Sequence, residues 1–110
     1  MKTAELTGTS LDYWVARAEG ITPTVEVQLR FMPSTNWGQA GPIIEREKIM
    51  IAWNAGEWIS GVTAYVDGPS GHMSKGPTAL IAAMRAFVTS KLGSDVSDDV
   101  HLAIDKKRNG

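Results

Sequence analysis

Glu45 and Glu47 are the residues whose type and spacing come closest to catalytic chemistry, because they lie two positions apart in the segment PIIEREKIMI. Two carboxylates on one face can serve acid–base or metal chemistry. Residues 43–53 are typical of a β-strand, in which side chains two positions apart point to the same side. The carboxylates would then share the face of Ile49 and Ile51, which is expected to point into the core. Burial of an unpaired carboxylate is strongly unfavourable, so an inward pair would need neighbouring cations or shifted pKa values.

Three arrangements would resolve this conflict. A β-bulge near residues 46–48 would turn the carboxylates outward. An open end of the sheet would place them at its mouth, near Arg46 and Trp37. A polar functional cleft would keep both of them inward. The spacing does not decide among the three, and we assign no catalytic and no metal-binding residue.

Trp37 is the second unusual residue, because it lies in a segment of turn-forming residues that reads as a loop over 32–42. One interpretation is a binding anchor, since aromatic side chains dominate interface energetics. The other is a plug, in which the ring folds back over the end of the sheet and holds the loop in place. The candidate binding residues are Trp37, Gln39, Glu45, Arg46 and Glu47.

The remaining polar motifs favour ordinary structural uses. Ser70 and His72 in GPSGH depart from a nucleophile motif where His72 replaces the second glycine. His101 has no neighbours with metal-ligand spacing, so no metal and no cofactor is predicted. Lys75 and Thr78 lie at a predicted helix N-terminus, where capping is the simpler use.

Composition argues against several classes of function. Eleven basic and twelve acidic residues give a net charge of −1, so strong binding to nucleic acid is not expected. The basic cluster at 106–108 reads as a solvated tail. The chain has no cysteine, and it shows neither a signal-peptide core nor an apolar run of membrane-spanning length. We therefore expect a cytoplasmic protein.

The elements that must position these residues follow from periodicity. A helical pattern covers 8–19 and ends at Gly20, and a stronger one covers 77–92 and ends at Gly93. Alternation predicts strands over 24–31, 43–53 and 57–66, with the last two joined at the turn NAGE. The predicted fold is α+β: a three-stranded antiparallel sheet with two helices on one face, in the order α-β-β-β-α. Residues 1–94 form the predicted domain, and 95–110 a weakly structured C-terminal extension.

Three blocks of sequence carry a family resemblance: TAELTGTSLDYWVARAEG, PSTNWGQAGPIIERE and GPTALIAAMRAFVTSKLG. In this order they resemble the NinX-like proteins of lambdoid bacteriophages and prophages, over roughly residues 1–93. The resemblance implies a small phage protein expressed in a bacterial cytoplasm, from a gene region that elsewhere holds recombination and accessory functions. It implies no activity and no site residues, because that family is a domain of unknown function.

The first hypothesis is therefore a non-enzymatic accessory protein that binds a host or phage protein. The alternatives are a small metal- or carboxylate-dependent hydrolase that uses Glu45 and Glu47, and a nucleic-acid accessory factor in phage recombination.

Overall fold

The computed structural model describes residues 1–62 and 73–97, and the elements below are those of these two ranges. They are a 3₁₀ helix Thr3–Glu5, helices α1 Gly8–Ala18, α2 Val25–Arg30 and α3 Trp37–Glu47, strands β1 Ile49–Asn54, β2 Glu57–Val62 and β3 Ser74–Gly76, and helix α4 Ala79–Leu92. The protein is α+β, as predicted. The order differs from the predicted one, because α2 and α3 stand between α1 and the first strand.

The described sheet is antiparallel, with the strand order β1-β2-β3. The predicted hairpin is confirmed: Ala55 and Gly56 have φ of 52° and 87°, the left-handed pair that a tight hairpin turn requires. Trp53 and Trp58 face each other beside this turn, with ring centroids 5.2 Å apart and ring planes at 68°. The β1 strand begins at Ile49, not at residue 43 as predicted.

Helix α4 contacts all three strands and lies at the centre of the core. Leu80, Met84, Phe87 and Val88 of this helix are buried with Ile49 and Val62 of the sheet and with Leu11 and Val15 of α1. Thr78 caps the helix by accepting the Ile81 N–H at 3.1 Å, so Pro77 precedes the cap and is not the first helical residue. The stop at Gly93, with φ 89°, is confirmed.

The prediction of helix α1 is also confirmed, including its stop at Gly20. Gly20 has φ 78°, and the Ile21 N–H reaches back to the Ala16 carbonyl at 2.9 Å. The Gly20 N–H bonds the Arg17 carbonyl at 3.0 Å, which completes a Schellman motif. Thr7 is the N-cap residue, but its side chain makes no capping hydrogen bond.

The predicted strand over 24–31 is wrong, because residues 25–30 form helix α2. Thr24 caps it by accepting the Val27 N–H at 3.3 Å, and the Gln28 N–H bonds the Thr24 carbonyl at 2.9 Å. No residue of α2 is fully buried, and Leu29 is 54% exposed. The alternation of apolar and polar residues over this short segment therefore did not indicate a strand, and the Thr24 cap favours the helix.

Residues 32–36 of the predicted loop over 32–42 do lie outside helices and strands, but the predictions for residues 37–42 and for the start of the strand over 43–53 are wrong, because residues 37–47 form α3. Pro42 lies inside this helix, which leaves the Gly38 carbonyl without its usual intrahelical donor. Gly41 makes the proline tolerable, since a Cβ on the preceding residue would disfavour the helical conformation. The helix ends at Glu47, and its C-cap residue Lys48 has φ 54°.

The N-terminus pairs with the chain after α4. Lys2 and Asp95 form an antiparallel bridge, and Met1 and Val96 exchange backbone hydrogen bonds of 3.0 and 2.9 Å. The domain limit at residue 94 stays a prediction.

Several predicted features lie outside the described residues. They are the end of the third predicted strand at 63–66, the Ser70 and His72 motif, His101, the basic cluster 106–108, and the extension from 98 onward. Of the segment between the predicted strand over 57–66 and the predicted helix over 77–92, the structure describes Met73 onward, and there Ser74–Gly76 form β3, a strand that was not predicted.

Candidate functional site at the two ends of helix α3

All five candidate binding residues lie on α3, but at opposite ends of it. Trp37 is its first residue and Gln39 lies in its first turn, whereas Glu45, Arg46 and Glu47 form its last turn. At 1.5 Å of rise per residue, Trp37 and Glu47 are about 15 Å apart along the axis. The structure therefore does not bring the tryptophan and the carboxylates together at the mouth of a sheet.

Trp37 is 57% exposed, so the plug interpretation is wrong. Leu29 and Met32, 54% and 41% exposed, lie on the chain that leads into the same helix end. We call Leu29, Met32 and Trp37 the Trp37 surface. Three large apolar side chains thus remain in solvent within nine residues of sequence.

The backbone beneath this surface is held by Gln39. Its amide Nε2 donates to the Arg30 carbonyl at 2.7 Å, and its Oε1 accepts the Met32 N–H at 2.5 Å. Asn36 caps α3 by accepting the Gln39 N–H at 3.1 Å. Gln39 therefore joins the end of α2 to the start of α3, and its side chain is structural.

A second tie links the same connection to α1. Asp12 is 9% exposed, and its Oδ1 accepts the Ser34 N–H at 2.8 Å. Burial raises the pKa of Asp12, while the Ser34 hydrogen bond opposes this shift. The Ser34 hydroxyl also lies near the carboxylate and lowers its pKa, although it does not reach hydrogen-bonding geometry. The approach to Trp37 is thus fixed from two sides.

The other end of α3 is a network of ion pairs. Arg46 donates to Glu19 at the end of α1 and to Glu47 at 2.8 Å, and Lys91 of α4 bonds Glu47 at 2.9 Å. The Arg46 guanidinium also lies 5.9 Å from the centre of the buried Phe87 ring. Hydrogen bonds from Arg46 and Lys91 lower the pKa of Glu47. These contacts hold three helices together.

The carboxylates do not form a catalytic pair. Residues two apart on a helix differ by about 200° around its axis, so Glu45 and Glu47 leave it on nearly opposite sides. Glu45 is exposed, whereas Glu47 is bound by two cations. Within residues 1–62 and 73–97, no group of three or more His, Asp or Glu side chains is arranged to hold a metal ion. Neither a bulge nor an inward cleft is involved, because this segment is not a strand.

A sequence signal for α3 was present. Asn36 followed three residues later by Gln39 is the N-cap and N3 pattern of a helix start. Ala40, Ile43 and Ile44 then recur at helical spacing, and the first two are buried. Gly38, Gly41 and Pro42 concealed the pattern, because these residues are typical of loops.

Of the described helices, none combines the length and apolar character needed to cross a membrane.

Comparison with known proteins identifies one family. No curated protein matches the chain. The family described as Bacteriophage P22, NinX matches residues 2–91, which cover all four helices except the last residue of α4. The chain therefore belongs to the phage P22 NinX family.

Proposed function

We propose that this phage protein is a non-enzymatic protein-binding module that acts in the bacterial cytoplasm. Its partner is a host or phage protein, and the contact is the Trp37 surface. The observation that supports the proposal is the exposed Trp37 ring on a helix start that Gln39 and Asn36 hold in place.

An exposed indole on a fixed backbone suits recognition for two reasons. Tryptophan contributes a large apolar area, and covering roughly 100 Å² of it at about 25 cal/mol/Å² stabilises a complex by about 2–3 kcal/mol. A backbone that is already ordered loses little conformational entropy on binding. Leu29 and Met32 are the other exposed apolar side chains on the chain that leads into this helix end, and Met32 can adapt its shape to a partner.

The charged end of α3 has a different part in this proposal. Arg46 and Glu47 are occupied by contacts within the chain, so they orient α3 against α1 and α4. Glu45 is exposed and makes no ion pair within the described part of the chain. It is the charged residue of this turn that is free for an outer contact.

The test compares two exposed tryptophans. Trp37→Ala removes the proposed anchor, and Trp53→Ala removes a ring of similar exposure, 60%, on the sheet. Proteins retained by the wild-type chain from infected cells are identified and purified, and their dissociation constants are measured with each variant. We expect Trp37→Ala to weaken a specific partner at least about tenfold, since interface anchors contribute more than about 1.4 kcal/mol. Trp53→Ala should bind as the wild type does.

Trp37→Ala should keep the wild-type unfolding midpoint, because exposed side chains contribute little to stability. Trp53→Ala also loses its ring contact with Trp58 and should cost about 0.5–1.5 kcal/mol, so both variants are first shown to be folded under the binding conditions. Equal binding by Trp37→Ala and wild type would contradict the proposal. So would self-association through Trp37, measured by sedimentation over a concentration series, because the occupant would then be a second copy of the chain.

A further inference from the structure

A cavity of about 800 Å³ is lined by none of the residues of α3. Its described lining comes from the 3₁₀ helix region, from the β1–β2 hairpin and the β3 strand, and from one face of α4. Volumes of roughly 300–1,000 Å³ are typical of small-molecule sites. Trp53, Val62 and Ala86 supply apolar parts of this wall.

Arg85 is a polar residue of the cavity lining with two backbone contacts. Its Nε donates to the Leu6 carbonyl and its Nη1 to the Lys75 carbonyl, both at 2.7 Å. A guanidinium has five N–H groups, so three of them are left for other acceptors. Burial lowers the pKa of Arg85, an effect that Glu5 opposes, but an arginine in a protein stays charged.

The cavity has an excess of positive charge. Among its described lining residues, Lys2, Lys75 and Arg85 are cations and Glu57 is an acid, and Glu57 already pairs with Lys75 at 3.2 Å. In the described part of the chain, neither Arg85 nor Lys2 forms a salt bridge. Arg85 is partly buried, and the nearby Glu5 acts on it without forming a salt bridge, which leaves the guanidinium able to bind an anion.

Neutral donors stand beside these cations. Thr89 is one turn beyond Arg85 on the same face of α4, and its hydroxyl lies 2.8 Å from that of Thr3. One hydroxyl of the pair donates to the other, so the second keeps its proton for a ligand. Lys2 adjoins Thr3 in the wall.

We propose that this cavity binds a small organic molecule through a phosphate group. Arg85 and Lys2 provide the charge, and the Thr3–Thr89 hydroxyl pair provides a neutral donor. Phosphate is favoured because an arginine fork, a second cation and a hydroxyl together match its several oxygens. The apolar wall receives the organic part of the ligand.

Calorimetric titration tests the proposal with three probes: AMP, inorganic phosphate and adenosine. We expect AMP and phosphate to bind, and adenosine to bind at least about tenfold more weakly than AMP, because it lacks the charged group. Added salt should weaken the binding of AMP. Adenosine binding as tightly as AMP, or no heat with either phosphate probe at millimolar concentration, would overturn the proposal.

Matched variants locate the site. Arg85→Gln should weaken AMP at least about tenfold, because it removes a desolvated charge, and the exposed Lys2→Gln should cause a smaller loss. Arg30→Gln removes a remote exposed arginine and should bind as the wild type does. Wild-type affinity in Lys2→Gln and in Thr89→Val would exclude the cavity even if Arg85→Gln failed to fold. Trp37→Ala should still bind AMP, so this proposal and the protein-binding proposal can fail separately.

Discussion

Gly76 offers the sharpest test of the packing between β3 and α4. It pairs with Trp58 in the sheet, and a Cβ built on it would lie 2.7 Å from the Ala82 nitrogen and 3.1 Å from the Ala82 Cα. These are backbone atoms of α4, so no change of rotamer relieves the overlap. Gly76→Ala therefore requires the strand and the helix to separate.

The expected magnitude follows from overpacking. Forcing extra atoms into a packed contact costs about 1–3 kcal/mol. Urea slopes for small proteins are about 1–3 kcal/mol/M, so at a slope of about 2 kcal/mol/M the unfolding midpoint should fall by roughly 0.5–1.5 M. The measurement is urea unfolding followed by circular dichroism at neutral pH.

Ser74→Ala is the control, because it lies on the same strand and leaves the backbone pairing intact. It should change the free energy of unfolding by less than about 0.5 kcal/mol. A Gly76→Ala protein as stable as Ser74→Ala would refute the close approach of β3 and α4. It would also remove one wall from the proposed phosphate cavity.

Four further predictions concern the charges around α1 and α3. Asp12→Ala leaves the Ser34 N–H without its acceptor and should cost about 1–3 kcal/mol in urea unfolding, whereas Asp12→Asn keeps an acceptor and should cost less. Because burial raises the pKa of Asp12, protonation of this carboxyl favours the folded state at acid pH, and its contribution to stability should be lost as pH rises through the folded pKa. Urea midpoints measured against pH should show that this pH dependence is absent in Asp12→Asn. Arg46→Ala should cost no more than about 1 kcal/mol, because the Arg46 side chain is 50% exposed. In high salt the difference between the urea midpoints of the wild type and this variant should be smaller. The pKa of Glu47 is lowered, so its effect on stability runs in the opposite direction. Its contribution to the free energy of unfolding is present above the ordinary pKa and is lost as pH falls through the lowered pKa, so the urea midpoint of Glu47→Gln should depend less on pH in the acid range.

The sequence predicted an element correctly where all of its local features favoured the same secondary structure. Helix α1 has an uninterrupted helical period and a glycine stop, and the hairpin turn has Gly56 at a left-handed position. These features involve residues that are close together in the sequence. The helices α2 and α3 lacked such agreement, because alternation favoured strand in one and glycine and proline favoured loop in the other, while the Thr24 and Asn36 caps favoured helix.

By itself the sequence determined the family, the helices α1 and α4, the hairpin between β1 and β2, and the unusual position of Trp37. Only the tertiary structure decided that this ring faces solvent and that the carboxylates of α3 do not act as a pair. The reason is distance along the chain: Arg46 is neutralised partly by Glu19, 27 residues away, and Arg85 is held by the carbonyl of Leu6, 79 residues away. Such partners are chosen by how helices pack, and no local pattern of residue types records that choice.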